Sequence, residues 1–330
     1  MSQPQDIANL LADTKQVLII QADNPDGDSL ASALALEQIL HDMGKEPMMY
    51  CAVDIPKHLR HLPGWDRVIK DVPHQFDASI LVDCSSRSLL ELAEKNGQLS
   101  WLLAKPMIII DHHNVESTLD ATINYNQHTA VSTGEVIYSL AKELNWPLDI
   151  NARNMLAVSI LSDSLGLMTD ATTPKSIRII ADLVESGVNL PELDEARRET
   201  MRKSVELVRY KGELLQRVAF HADNQIATVT IPWEEIEKYS AQYNPSILVL
   251  DDMRLTEDVK LAIAFKTYQG QRITAKIRCN YRYGIGKELA EHFGGGGHPY
   301  ASGFKVINRS PNDVIAECIN KATELLANHN

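Results

Sequence analysis

Four short stretches carry side chains that could do chemistry together. "DNPDGDS" supplies Asp26 and Asp28, two positions apart, and "SILVD" ends in Asp83. "MIIIDHH" ends in Asp111, His112 and His113, and "SILSDS" places Asp163 in apolar surroundings. Crowded ionised carboxylates repel one another, which is costly unless a cation lies between them. Oxygen donors with an occasional imidazole suit Mn²⁺ or Mg²⁺ rather than a thiolate-bound metal. Two such ions would activate a water and stabilise the oxyanions of a phosphate under in-line attack. Each stretch alone has a plainer meaning: a solvated Asp-Gly turn, a helix cap at Asp83, a surface histidine pair, a buried hydrogen-bonded Asp163. Their conjunction is what points to a metal centre.

The elements that must position these groups alternate between strand and helix. "KQVLIIQA" (15–22), "EPMMYCAV" (46–53), "DASILVDCSS" (77–86) and "PMIIIDHH" (106–113) read as strands, and "SLASALALEQILHDMG" (29–44) as a helix between the first two. Apolar runs separated by helices predict a parallel α/β sheet buried on both faces. Ligand crevices in such sheets lie outside the carboxyl ends of the strands. Asp26, Asp28, Asp83 and Asp111 all stand at those ends. Helices are predicted over 129–145, 151–167 and 173–187, followed by a long charge-laced helical segment. From about residue 217 strands dominate, with "QGQ" as a hairpin turn. The predicted organisation is a parallel-sheet domain over 1–189, a helical linker over 190–216, and a smaller α+β domain over 217–330.

The second domain carries "FGGGGHPYASGF", including Gly295, Gly296, Gly297 and His298. Consecutive glycines are entropically expensive to order. They fit a loop where backbone approaches a ligand closely or where N–H groups form an anion nest. "GIGKEL" lacks the glycine spacing and the Ser/Thr of a P-loop.

Composition narrows the partners. The formal net charge of −12 argues against coating long duplex or single-stranded nucleic acid, since such binding neutralises many phosphates. It leaves room for a small phosphorylated substrate held by metal and a few placed cations. No apolar run suits a membrane span, and the N-terminal stretch lacks the features of a secretion signal. The four cysteines, Cys51, Cys84, Cys279 and Cys318, are widely spaced, so neither a disulfide framework nor a zinc site is expected, and a reduced cytoplasm is the expected location.

The order "PDGD", "VDCSS", "DHHN", "SILSDS" resembles the DHH family of phosphoesterases, and "VSTGEVIY" (Ser132, Thr133, Glu135) resembles that family's helix start. "GGGGH" followed by Ala301, Ser302 and Gly303 resembles the signature of the DHHA1 domain, and "AKIRCN" resembles its strand bearing a substrate-binding arginine, here Arg278. The resemblance implies that Asp26, Asp28, Asp83, His112 and Asp163 ligate two Mn²⁺ or Mg²⁺ ions, with Asp83 bridging. It implies that His113 faces the scissile phosphate and that Asp111 orients the loop or a ligand histidine. Gly295, Gly296, Gly297, His298 and Arg278 would grip the nucleotide, and the two domains would close around it. The expected substrates are short oligoribonucleotides, adenosine 3',5'-bisphosphate or linear dinucleotides. A homodimer through the DHH domain rests on the resemblance alone. One position departs from the pattern: Ala22 stands where the first motif usually has a metal-binding His. That weakens one metal site and raises the alternative of a degenerate nucleotide-binding protein; a RecJ-like single-strand exonuclease is a separate alternative.

Overall fold

The computed structural model describes residues 3–329. The chain forms two compact units that divide between Arg202 and Lys203.

The first unit runs α1 (Gln3–Ala12), β1 (Gln16–Ile20), α2 (Gly27–Asp42), β2 (Glu46–Tyr50), β3 (Ala78–Val82), α3 (Glu91–Lys95), α4 (Leu99–Leu103), β4 (Met107–Asp111), β5 (Ile123–Asn126), α5 (Thr133–Leu144), α6 (Ile150–Asp163), α7 (Pro174–Glu185) and α8 (Leu190–Thr200). Its five strands are parallel, in the order β2-β1-β3-β4-β5. The central strands are apolar throughout because both faces are covered. Val17, Ile19, Ile80, Val82, Ile108 and Ile110 pack beneath α1, α2, α5 and α6. Leu18, Ile20, Leu81 and Ile109 pack on the opposite face against Leu90, Ala93, Leu99 and Leu102. Each such buried side chain contributes about 1.5–3 kcal/mol relative to exposure. Three elements of this unit, α1, α4 and β5, were not evident from sequence. β5 is a short, half-polar edge strand, and α1 buries Pro4, Ile7 and Leu11 and packs Leu10 partly against the core.

From β1 the chain passes to β2 on one side and then to β3 on the other. The loops leaving β1 and β3 therefore diverge, and this switch point is where ligands bind in open parallel sheets.

The segment 190–216 is two helices rather than one continuous connection. α8 ends at Thr200 within the first unit, and Ser204 caps a new helix, α9 (Val205–Gln216), by accepting from Leu207 N–H at 3.2 Å. The second unit continues with β6 (Ala219–His221), β7 (Ile226–Ile231), α10 (Trp233–Tyr239), α11 (Pro245–Arg254), β8 (Leu261–Tyr268), β9 (Arg272–Cys279), α12 (Gly286–His292), β10 (Gly296–His298), β11 (Ala301–Val306) and α13 (Pro311–Asn328). Its six strands lie in the order β10-β11-β9-β8-β7-β6, with only β7 and β8 parallel. α12 and α13 cover one face. On the other, α9, α10 and α11 pack over β7 and β8, and no buried core residue of β9, β10 or β11 joins them.

The glycine run departs from the sequence expectation. It is not a free loop: Gly296–His298 is an edge strand paired to β11. Gly297 has no room for a side chain, because φ is +132° and a Cβ would lie 2.7 Å from Ala301 O. All four cysteines are buried and free. Among the described residues, no helix is long and apolar enough to cross a membrane.

Candidate metal centre and anion groove

The acidic groups converge because of where their elements end. Asp28 lies in the first turn of α2 and Asp163 is the last residue of α6. The two helices approach closely at that end, where a Cβ on Gly27 would lie 2.0 Å from Ser162 Oγ. Asp83 follows β3 with φ +57°. A non-glycine residue in this region costs roughly 1–3 kcal/mol and persists only where its surroundings fix it. Here the Asp83 N–H donates to Ile110 O at 3.0 Å and Thr133 Oγ1 donates to Asp83 Oδ1 at 3.1 Å.

His112 stands at the centre. Its Nε2 lies 3.7 Å from Asp28 Oδ2, 3.5 Å from Asp83 Oδ1 and 3.5 Å from Asp163 Oδ2. That nitrogen is buried and has no hydrogen-bond partner, while Nδ1 lies 3.3 Å from Ala130 O. Among the described residues, Asp28, His112 and Asp163 form one group with donor atoms within 4.8 Å of one another, and Asp83, His112 and His113 form another. An orphaned imidazole nitrogen facing three carboxylates at just beyond hydrogen-bond range fits a divalent cation between them.

The electrostatics agree. Asp28 is raised by burial above the usual carboxylate range, against hydrogen bonding from Ser159. Burial and then the charge of Asp28 push Asp83 well up and Asp163 up to about 6. Without a cation the cluster is short of positive charge. Hydroxyls and amides offset part of the cost: Ser159 Oγ donates to Asp28 Oδ1 at 2.5 Å, Ser32 Oγ at 3.0 Å, and Thr133 N–H reaches Asp28 Oδ2 at 2.8 Å. The last is the N-terminus of α5, whose dipole favours an anion there. Gly134 lets Ser159 in, since a Cβ at 134 would lie 2.0 Å from Ser159 Oγ.

Asp111 is fully buried and turns inward to organise the histidines. Its Oδ1 accepts from His112 N–H at 2.7 Å and His113 N–H at 3.1 Å, and it lies 2.8 Å from His113 Nδ1. Ser85 Oγ donates to Oδ2 at 2.7 Å. Burial opposes ionisation of Asp111, but the bonds from His113 and Ser85 outweigh it and hold its pKa low. The same hydrogen bond raises His113.

Three neighbouring positions stand apart. Ala22 is buried in the apolar cluster with Leu18, Ile20 and Cys84. Asp23 belongs to neither donor group; its Oδ2 accepts from Leu92 N–H at 2.8 Å and its Oδ1 is buried without a hydrogen-bond partner. Asp26 caps α2, accepting from Ser29 N–H at 3.0 Å, and is also outside both groups. Its charge still reaches the cluster, adding to the upward shifts of Asp28, Asp83 and Asp163. Ser32, Ser85 and Ser159 escaped the sequence reading. A signal was present: Ser32 is four residues after Asp28 and Ser159 four before Asp163, one helical turn in each case.

In the second unit, Arg278 and Gly294 to Gly297 line a groove of about 850 Å³ on the open part of the sheet. His298 pairs with Ala301 in register, and Ala301 pairs with Arg278. His298 therefore shares that face but does not line the groove.

Fold and donor set define an α/β domain with carboxylates and an imidazole gathered at the carboxyl edge of a parallel sheet, an arrangement that fits a divalent cation. Residues 16–172 match the DHH family, N-terminal domain. It is 22% identical to the "Bifunctional oligoribonuclease and PAP phosphatase NrnA" of Bacillus subtilis, over 88% of this chain and 89% of that protein. The protein of the same name from Thermus thermophilus is 25% identical, over 85% and 81% respectively. In fold, an exopolyphosphatase-related protein from Bacteroides fragilis aligns over 98% of this chain and 97% of its own, with a TM-score of 0.81 and 18% identity.

Proposed function

We propose that the protein is a divalent-metal-dependent phosphoesterase that hydrolyses short oligoribonucleotides and small nucleotides such as adenosine 3',5'-bisphosphate or linear dinucleotides. The observation that carries this is the buried, unpartnered Nε2 of His112, 3.5–3.7 Å from carboxylates delivered by α2, β3 and α6. Asp28, Asp83, His112 and Asp163 would hold one ion, and Asp83 with Asp26 the other. When bound, such ions supply Lewis-acid activation of water and neutralise charge on the phosphate. Oxygen-rich donors with one imidazole suit Mn²⁺ or Mg²⁺.

The chain's own residues do the positioning. Asp111 accepts a hydrogen bond from the Nδ1–H of His113, which leaves Nε2 to face the substrate. With its pKa raised by Asp111, His113 keeps a proton to higher pH and can offer it to a phosphate oxygen or leaving group. The planar fork of Arg278 suits a terminal phosphate, and the glycine strand β10 lets substrate approach the backbone. The two relatives, each named as an oligoribonuclease and PAP phosphatase, support the substrate class. A homodimer through the first unit and a cytoplasmic location complete the proposal.

A second reading, a nucleotide-binding protein with a decayed centre, draws on Ala22 and on the use of Asp26 as a helix cap. The deciding assay supplies Mn²⁺, Mg²⁺ or Co²⁺ and follows mononucleotide release from two- to five-nucleotide RNA. Turnover supports the phosphoesterase. Nucleotide binding that survives chelation, with no turnover in any metal, supports the decayed centre. Ala22→His separates them further: it lowers the metal concentration needed by a working enzyme and creates activity from nothing in a decayed one.

A further inference from the structure

The groove of the second unit holds more positive charge than a single phosphate needs. Lys266, Lys276 and Lys305 line it with Arg278, and among the described residues no carboxylate lines it. Among the described residues none of the four cations makes an ion pair: Lys266 Nζ donates to the neutral Asn244 Oδ1 at 2.6 Å, and Arg278 Nη1 to the backbone of Ile277 at 2.9 Å. Burial lowers the pKa of Lys266 and Lys276, and a neighbouring cation adds to it in each case. Like charges drawn together in a half-buried setting are uncompensated until an anion arrives.

The register arranges these charges in rows. Arg278, Lys276 and Thr274 alternate along one face of β9. Lys276 is flanked across the sheet by Ala264 and Gly303, and Thr274 by Lys266 and Lys305. Small side chains therefore floor the groove beside each cation. Alternate residues on a strand are roughly 7 Å apart, so the backbone positions that carry these cations, from Arg278 through Lys276 to the level of Lys266 and Lys305, span roughly 13 Å in even steps. Beyond them the row ends where Arg272 stacks over the Tyr268 ring at 3.8 Å.

We infer that this row holds successive phosphates of one short single-stranded oligonucleotide, so that the groove favours substrates of about three or more nucleotides over dinucleotides. The inference rests on the phosphoesterase reading and adds chain-length selection to it. An even spacing of this size suits phosphates separated by a ribose. Phosphates of linear polyphosphate share a bridging oxygen and lie much closer together.

The test uses the full-length, chelator-treated protein and labelled oligoadenylates of two and five nucleotides, with binding followed across salt concentration. The pentamer should show the steeper salt dependence, and Lys276→Gln should reduce its log–log slope by about 0.7, the value for one lost contact to a single strand. With Mn²⁺ restored, the KM for the pentamer should rise on the order of tenfold in Lys276→Gln or in the Lys266→Gln/Lys305→Gln pair, and the dinucleotide KM far less. Lys276→Arg, which keeps the charge, should keep the slope. An unchanged pentamer slope in both glutamine variants overturns the inference. So does equal displacement of the pentamer by linear polyphosphate matched for charge. A wild-type protein that cleaves neither oligomer sinks the phosphoesterase reading instead, and the salt slopes still decide the groove.

Discussion

The metal centre and the groove are opposite solutions to one problem. In the first unit, carboxylates of Asp28, Asp83 and Asp163 crowd around His112, and serine hydroxyls and the start of α5 soften the repulsion. In the second, Arg278 and three lysines crowd on an uncovered sheet face, softened by solvent and by Asn244. Each unit holds charge of one sign in a partly dry setting and leaves its counter-charge to a ligand. They differ in stiffness. The acids sit on short side chains at the ends of strands and helices, whereas the lysines are long and lie along a strand. Damage to the centre should therefore be close to all-or-none, and damage to the groove graded.

The largest effect should come from Asp83→Ala, which removes the carboxylate shared by the proposed ions. We expect kcat/KM to fall by at least about 10³, comparable with the loss of a key electrostatic group in other active sites. A loss below tenfold would mean that Asp83 only supports the loop. Arg278→Ala should raise KM by about 10- to 100-fold with a smaller change in kcat, as expected for a charged hydrogen bond to substrate. A fall in kcat at constant KM would erase the contrast between the two regions.

Ser159→Ala probes the softening itself. Its hydroxyl makes the 2.5 Å bond to Asp28, and groups that orient a metal ligand are worth about 10- to 100-fold in metal affinity. Activity should return at high Mn²⁺. If the variant needs no more metal than wild type, Ser159 serves packing alone.

The smallest effect is a pH dependence. Asp163 sits at about 6 in the folded chain against an ordinary 3.8. Between those values the folded, metal-free protein keeps a proton that the unfolded chain releases, so its stability falls as pH rises through that window. Metal binding expels the proton, so the rise in Tm on adding Mn²⁺ should grow from about pH 5 to about pH 7. A rise independent of pH would place the ion away from Asp163.

These regions were not equally legible in the sequence. Asp26, Asp28, Asp83, Asp111, His112, His113 and Asp163 stood out as candidates because carboxylates and imidazoles are conspicuous beside apolar strands, and parallel sheets use their carboxyl ends; the choice of ligands among them, Asp26 included, came from the family resemblance. Asp111 was visible, yet only the fold shows both its oxygens engaged within the protein. Ser32 and Ser159 stayed hidden because serines are common, although their spacing from Asp28 and Asp163 was a full helical turn. The glycine run read as a loop since glycine is a poor strand former, and its pairing with β11 depends on close backbone approach rather than on propensity. Lys266, Lys276 and Lys305 alternate within their own strands, but nothing local places three different strands side by side.

The central claim is that Asp28, Asp83, His112 and Asp163 enclose a divalent cation. Titrating chelator-stripped protein with Mn²⁺, with free ion read by electron paramagnetic resonance, tests it directly. Saturable binding of at least one ion per chain, lost in both His112→Ala and Asp28→Asn, is the predicted result. Absence of saturable binding in the wild-type protein, or binding that survives both substitutions, would contradict it.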